Sequence, residues 1–153
     1  MPLIDVTLPA GAVPADAAGD LSAAVVAAVL RWAELPQTNF FRAATWVRLH
    51  EAAAPTFTTG AGPHERAFLV QITALSGLLD ERRHEGLAAE LTGILRTASG
   101  SADDEGTVWT IVQDIPEGSW SVNGQLTRAE HLAPLIASGH AEIAEAGSVG
   151  ATT

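Results

Sequence analysis

The chain opens Met1-Pro2-Leu3-Ile4-Asp5-Val6-Thr7-Leu8, with a proline directly behind the initiator Met and at the start of a strand pattern. Pro is a small residue, so Met removal is expected, and it would leave Pro2 with a free secondary amine in place of a tertiary amide. An α-amino group ordinarily titrates at about 7.7–8.0. Apolar surroundings disfavour the cation and lower that value, which poises the amine near neutral pH, where a general base works best. The same amine, once protonated, can serve as an acid. A strand that starts at once would hold the nitrogen at a sheet end and not on a loose tail.

Few other groups offer chemistry. Every basic residue apart from histidine is an arginine, at positions 31, 42, 48, 66, 82, 83, 96 and 128. An arginine can grip a carboxylate with two parallel hydrogen bonds. Arg42 stands just before a strand pattern. Arg83 stands in the first turns of a helix pattern, where pairing with Asp80 on the surface is the competing role. His50 shares a strand face with Arg48 and Trp46 by period-two alternation; it is either a second proton carrier or a satisfied sheet-end residue. His64, His84, His131 and His140 are scattered without metal-ligand spacing. There is no Cys and no Tyr, hence no thiolate, disulfide or tyrosyl chemistry. No Ser/His/Asp or phosphate-loop signature is present.

These groups must be positioned by a chain of 153 residues, a length that fits one domain, and 47% hydrophobic content supplies a core. A net charge of -10 argues against nucleic acid or an anionic membrane as partner. The longest apolar run, Ala23 to Leu30, is too short to span a bilayer. No basic, apolar leader opens the sequence, so a cytoplasmic location is expected.

Residues 3–8 read as a strand, punctuated by Pro9, Gly11 and Pro14. Leu21, Ala24, Val25, Ala28, Val29 and Trp32 then mark one helix face, limited by Pro36. A second strand covers 44–49. Small, turn-rich residues 52–66 read as a linker. The order then begins again: a strand over 68–73, a helix capped by Asp80 with Leu87, Leu91, Ile94 and Leu95 on one face, a polar loop, a strand over 108–112, and a turn or hairpin in the following PEGSWSVNG.

A shift of 66 lays Leu3 on Leu69, Thr7 on Thr73, Gly11 on Gly77 and Leu21 on Leu87. A shift of 63 lays Trp46 on Trp109. The chain is therefore β-α-β twice, with a crossover helix and parallel strands in each unit. The expectation is an α+β fold: a four-stranded mixed sheet with two helices on one face. Unit one covers 2–51, the linker 52–66, unit two 67–126 and a C-terminal segment 127–139, all within a single domain 1–139. Residues 140–153 are expected to form a flexible tail. Apolar strands such as FLVQI and VWTIV predict that the face without helices is covered too, most simply by other copies of the chain.

The Pro2 strand, the doubled β-α-β unit and VWTIVQDIPEGSWSVNG together resemble the tautomerase superfamily, notably 4-oxalocrotonate tautomerase (4-OT), malonate semialdehyde decarboxylase and cis-3-chloroacrylic acid dehalogenase, over roughly residues 2–126. The resemblance implies a homotrimer of two-unit chains, no cofactor and no metal, a small carbonyl or carboxylate substrate, and Pro2 as the catalytic residue. It implies Trp120 as the apolar wall of the site. Asn39, three residues past Pro36, occupies the place of the decarboxylase acid, and either Asn39 or an arginine is the expected donor to a developing enolate oxygen. The tautomerase arginines fall on Ala12 and on Trp46 or Trp109, and the decarboxylase pair on Gly77 and Leu79. Arg42 and Arg83 are the substitutes, and Trp109 and His50 are further candidates for substrate binding. The function expected is a proline-based tautomerase acting by keto–enol proton transfer. The alternatives are a decarboxylase, a hydratase or dehalogenase, or a catalytically silent binding module of the same fold.

Overall fold

The structure is a computed structural model that describes residues 2–53, 56–63, 66–100 and 107–149. Unit one comprises β1 (Leu3–Pro9), α1 (Ala18–Trp32), a short α2 (Asn39–Ala43) and β2 (Trp46–Ala52). Its connection to unit two carries two two-residue strands, β3 (Thr58–Thr59) and β4 (Gly62–Pro63), paired as a small antiparallel hairpin. Unit two comprises β5 (Ala67–Leu75), α3 (Glu81–Ala98) and β6 (Thr107–Ile115), then a hairpin of β7 (Ser121–Val122) and β8 (Gln125–Leu126) and a closing helix α4 (Ala129–Val149).

The main sheet has the order β2-β1-β5-β6. β1 runs parallel to β2, β5 parallel to β6, and β1 antiparallel to β5. The pairing reproduces the repeat. Leu3 faces Trp46 in one unit and Leu69 faces Trp109 in the other. Across the seam Asp5 faces Gln71, its own equivalent at a shift of 66. The two units are thus related by a local two-fold through that pair. Gly11 and Gly77, also equivalent, both leave their strands with positive φ, 76° and 88°, a conformation that favours a residue without a Cβ.

Period-two alternation decides what each strand buries. Ile4, Val6 and Leu8 of β1 and Phe68, Val70, Ile72 and Ala74 of β5 point into the core. There they meet Leu21, Val25, Ala28 and Val29 of α1 and Leu87, Leu91 and Leu95 of α3. The other face carries Leu3, Asp5, Thr7, Leu69, Gln71 and Thr73 in the middle, with Trp46 and Trp109 near its diagonal corners at 68% and 65% exposure.

α2 was not anticipated from the sequence. It spans only five residues and is made by local chemistry: the Thr38 hydroxyl accepts from the Phe41 N–H and the Thr45 hydroxyl donates to the Phe41 carbonyl. Nor was α4 anticipated: it takes in the expected C-terminal segment and runs on to Val149, through the start of the stretch 140–153 expected as a flexible tail. Alanine and glutamate in this stretch are strong helix formers. Gly139 lets α4 dock: a Cβ there would lie 2.8 Å from Pro36 side-chain carbons. Residues 150–153 lie outside the described residues.

The two long helices are braced at one point. The Trp32 indole donates to Glu90 Oε2 (2.9 Å), and Arg31 pairs with the same carboxylate. The indole lies flat over Gly86, where an added Cβ would come within 2.1 Å of a ring carbon. In an open helix Gly→Ala would stabilise by about 0.5–1 kcal/mol. Here overpacking, typically about 1–3 kcal/mol, outweighs it. Gly86→Ala is therefore expected to lower the urea midpoint, and Trp32→Leu in the Gly86→Ala background to recover part of the loss; a double-mutant cycle measures the coupling.

Candidate active site

Pro2 is buried at the start of β1, and its carbonyl accepts the Trp46 N–H (3.2 Å), which fixes the residue against the first residue of β2. Because β5 runs antiparallel to β1, its C-terminal end arrives beside Pro2: Thr73 pairs with Leu3. The ends of β5 and β6 pair through Leu75 and Ile115, and the Ser76 N–H donates to the Ile115 carbonyl (3.0 Å). The chain leaves the sheet at this end and enters the hairpin that carries half-buried Trp120, closed by Thr127 N–H donating to the Trp120 carbonyl (2.8 Å).

The helices return to the same end. α1 delivers Glu34, and α3 begins at Asp80, whose side chain caps it by accepting the Arg83 N–H (2.8 Å). The Arg83 guanidinium is held three ways: by Glu34 Oε2 at 2.5 Å, by Asp80 Oδ2 at 3.7 Å and by the Leu78 carbonyl at 3.3 Å. The expected surface pairing with Asp80 is present, but Glu34 is the nearer partner. Glu34 holds a positive φ of 52°, its N–H donates to the Arg31 carbonyl (3.1 Å), and His140 of α4 lies 3.2 Å from its carbonyl oxygen. The sequence reading missed Glu34; its only local signal is its place between the helix end and Pro36.

Arg42 sits in α2, immediately before β2. Its Nε and Nη2 donate to the backbone and side-chain oxygens of Gln37 (3.2 and 3.3 Å). It is exposed and has no carboxylate partner among the described residues. Asn39, exposed, opens the same short helix. Pro2, Asn39, Arg42 and Arg83 are therefore carried by elements that meet at one end of the sheet.

His50 and Trp109 are not at that end within one chain. His50 pairs with Thr7, and Trp109 with Leu69, which itself faces Thr7. Both lie four residues beyond the Leu3 row, about 13 Å along the strands at ~3.3 Å per residue. Alternation along a strand gives the face of a side chain but not the end of the sheet it serves. His50 belongs to a cluster on the open face. Asp5 Oδ1 lies 2.7 Å from His50 Nε2 and from Arg48 Nε, and Arg48 Nη2 donates to Oδ2 at 2.7 Å. The Arg48 guanidinium holds the Asp5 carboxyl below the usual carboxylate range; burial opposes this and the His50 contact reinforces it.

Among the described residues, no group of three or more His, Asp or Glu could hold a metal ion, and no helix is long and apolar enough to cross a membrane.

No family model matches the sequence, and no curated protein does. Solved structures do. A fused 4-OT, an asymmetric trimer, superposes with a TM-score of 0.69 at 17% identity, covering 86% of this chain and 98% of its own. Another structure of a native fused 4-OT gives 0.68 at 20% identity, covering 83% and 97%. N1, a member of the cis-3-chloroacrylic acid dehalogenase family, gives 0.66 at 15% identity, covering 89% and 99%. The chain has the tautomerase-superfamily fold, in a two-unit form similar to these fused chains.

The depressed Asp5 value sets the direction of a pH effect. The stability it contributes is fully present above the unfolded carboxylate pKa, about 3.9, and is lost as pH falls through the lower folded value. Wild type is expected to be more stable than Asp5→Asn at pH 7, with the gap between their urea midpoints closing as pH falls below about 4.

Proposed function

We propose that the protein is a proline-based tautomerase that moves a proton between carbon and oxygen of a small carbonyl acid. The observation that carries this reading is the burial and tethering of Pro2 at a sheet end to which α2 and the start of α3 bring cations. With Met1 removed, the Pro2 nitrogen has a lone pair. It takes a proton from the carbon α to a carbonyl, the electron pair moves into the carbonyl to give an enolate, and the prolyl cation returns the proton at another atom. The reverse sequence ketonises an enol.

Arg42, with no carboxylate partner among the described residues, is the group best suited to receive the substrate carboxylate. Asn39, on the same short helix, donates to the enolate oxygen. Trp120 keeps the site apolar and the amine neutral at working pH. Arg83 enters only by exchanging Glu34 for the substrate, so its contribution is the smaller.

The reading includes assembly into a homotrimer through the sheet face that lacks helices. Two tryptophans and Ile111 are exposed on that face, more than a solvated sheet needs, and several solved chains of this fold are trimers. A cytoplasmic location accompanies this reading.

Ketonisation of phenylenolpyruvate and 2-hydroxymuconate, followed by absorbance, tests the proposal with protein whose intact mass shows loss of Met1. Pro2→Ala is expected to lower kcat/KM by about 100-fold or more, the usual scale of a lost general base, with the fold unchanged by circular dichroism. Arg42→Ala is expected to raise KM about tenfold with a smaller effect on kcat, as loss of uniform binding does. Equal turnover by wild type and Pro2→Ala would remove Pro2 as the base. Absence of turnover in processed wild type would favour the silent binding module, in keeping with an Arg83 already occupied by two carboxylates. Sedimentation equilibrium is expected to give three times the chain mass.

A further inference from the structure

α3 buries Leu87, Leu91 and Leu95, and the same four-residue row begins at Arg83. Arg83 therefore continues the core-facing stripe to the N-terminal end of the helix, and helical side chains lean toward that end. The β1–β5 register, continued by one step, sets Ala74 opposite Pro2. Arg83 donates to the carbonyl of Leu78, four residues past Ala74. Arg82 and Arg128 are exposed and lie off this row. Arg83 is thus the cation that α3 aims at the Pro2 end.

Its neighbours reverse its charge. The guanidinium meets Glu34 Oε2 at 2.5 Å and Asp80 Oδ2 at 3.7 Å. One cation with two carboxylates leaves the cluster net negative. The Arg83 side chain is 27% exposed and the Glu34 side chain 69%, so the Glu34 carboxylate lies on the solvent side, from which a substrate carboxylate would also arrive. Glu34 is fixed in this place by its backbone. Its φ is 52°, its N–H donates to the Arg31 carbonyl, and its own carbonyl lies 3.2 Å from His140 Nε2. A non-glycine residue in this region of backbone space persists only where its surroundings impose it, and such residues gather at functional sites. A carboxylate already tethered in the chain also outcompetes a free one, which gives up translational freedom to bind.

We propose that Glu34 determines substrate specificity: it occupies Arg83 and restricts the Pro2 end to carbonyl acids with a single carboxylate, the one taken by Arg42. The inference rests on the tautomerase reading of that end. A second substrate carboxylate would meet two fixed carboxylates beside the guanidinium, and repulsion of this kind excludes a ligand as well as a missing contact does. The remainder of the substrate is then uncharged, which matches the apolar wall assigned to Trp120.

Two readouts test this. In turnover, wild type lacking Met1 is expected to prefer phenylenolpyruvate, a monocarboxylate, to 2-hydroxymuconate, a dicarboxylate. Glu34→Gln is expected to raise kcat/KM for 2-hydroxymuconate relative to phenylenolpyruvate about fivefold or more, and Arg83→Gln in the Glu34→Gln background to remove the gain. In binding, which needs no turnover, calorimetry compares adipate with hexanoate, a dicarboxylate and a monocarboxylate of equal chain length. Glu34→Gln is expected to strengthen adipate relative to hexanoate about fivefold or more. Glu34→Gly, which the positive φ favours, takes its place should Glu34→Gln fail to fold. An unchanged affinity ratio in the folded variant, or no adipate binding by it, would overturn the inference. So would a gain that survives Arg83→Gln. A wild-type preference for adipate that Arg83→Gln abolishes would overturn it too, because Arg83 would already be serving the ligand. Absence of turnover in wild type, together with an Arg83-dependent gain in adipate binding, would remove the tautomerase reading and leave the role of Glu34 standing.

Discussion

Everything in this molecule depends on the antiparallel seam between β1 and β5. The two β-α-β units are each parallel within themselves, and only this pairing joins them into one sheet. Its register is fixed by burial. Ile4, Val6 and Leu8 must face the helices, and so must Phe68, Val70 and Ile72. A slip by one residue would turn either set outward. With that register, Asp5 falls opposite its own repeat equivalent, Gln71, and the local two-fold follows.

A two-fold of the backbone gives a sheet with two equivalent ends, and the side chains then make them different. One end has Pro2, the exposed Arg42 and the Glu34–Arg83–Asp80 cluster. The other has Phe68 at the repeat equivalent of Pro2, with Leu69 paired to Trp109. Even the central row breaks the symmetry: Asp5 gathers Arg48 and His50 on one side of the seam, whereas Gln71 faces Ile111 on the other. The repeat therefore supplies two sheet ends of related geometry, of which only the first can carry an amino-terminal amine.

The periphery serves the Pro2 end. α4 docks on Pro36 and Thr38 through Gly139, and His140 meets the Glu34 carbonyl. Glu34 holds its left-handed backbone there while its side chain occupies Arg83. A non-glycine residue in that conformation costs about 1–3 kcal/mol and persists only where neighbours impose it. The brace formed by Trp32, Arg31 and Glu90 holds α1 and α3 together beneath this arrangement.

Much of the fold was legible in the sequence because periodicity is a local property. Two-residue alternation marked the four long strands, 3.6-residue spacing marked α1 and α3, and Asp80 announced its cap; the repeat then fixed their order. α2 escaped because five residues are too few to show a period. α4 escaped because alanine-rich text without an apolar stripe reads like a tail. The face of His50 was readable, but which end of the sheet it serves was not. The sequence by itself determined the alternation, the repeat and the presence of a single Pro2. The tertiary structure alone decided that Arg83 is spent on Glu34 and that Arg48 and His50 converge on Asp5. These are contacts between residues 43 to 49 positions apart, or across a strand pair, and chain folding sets such distances while sequence spacing does not.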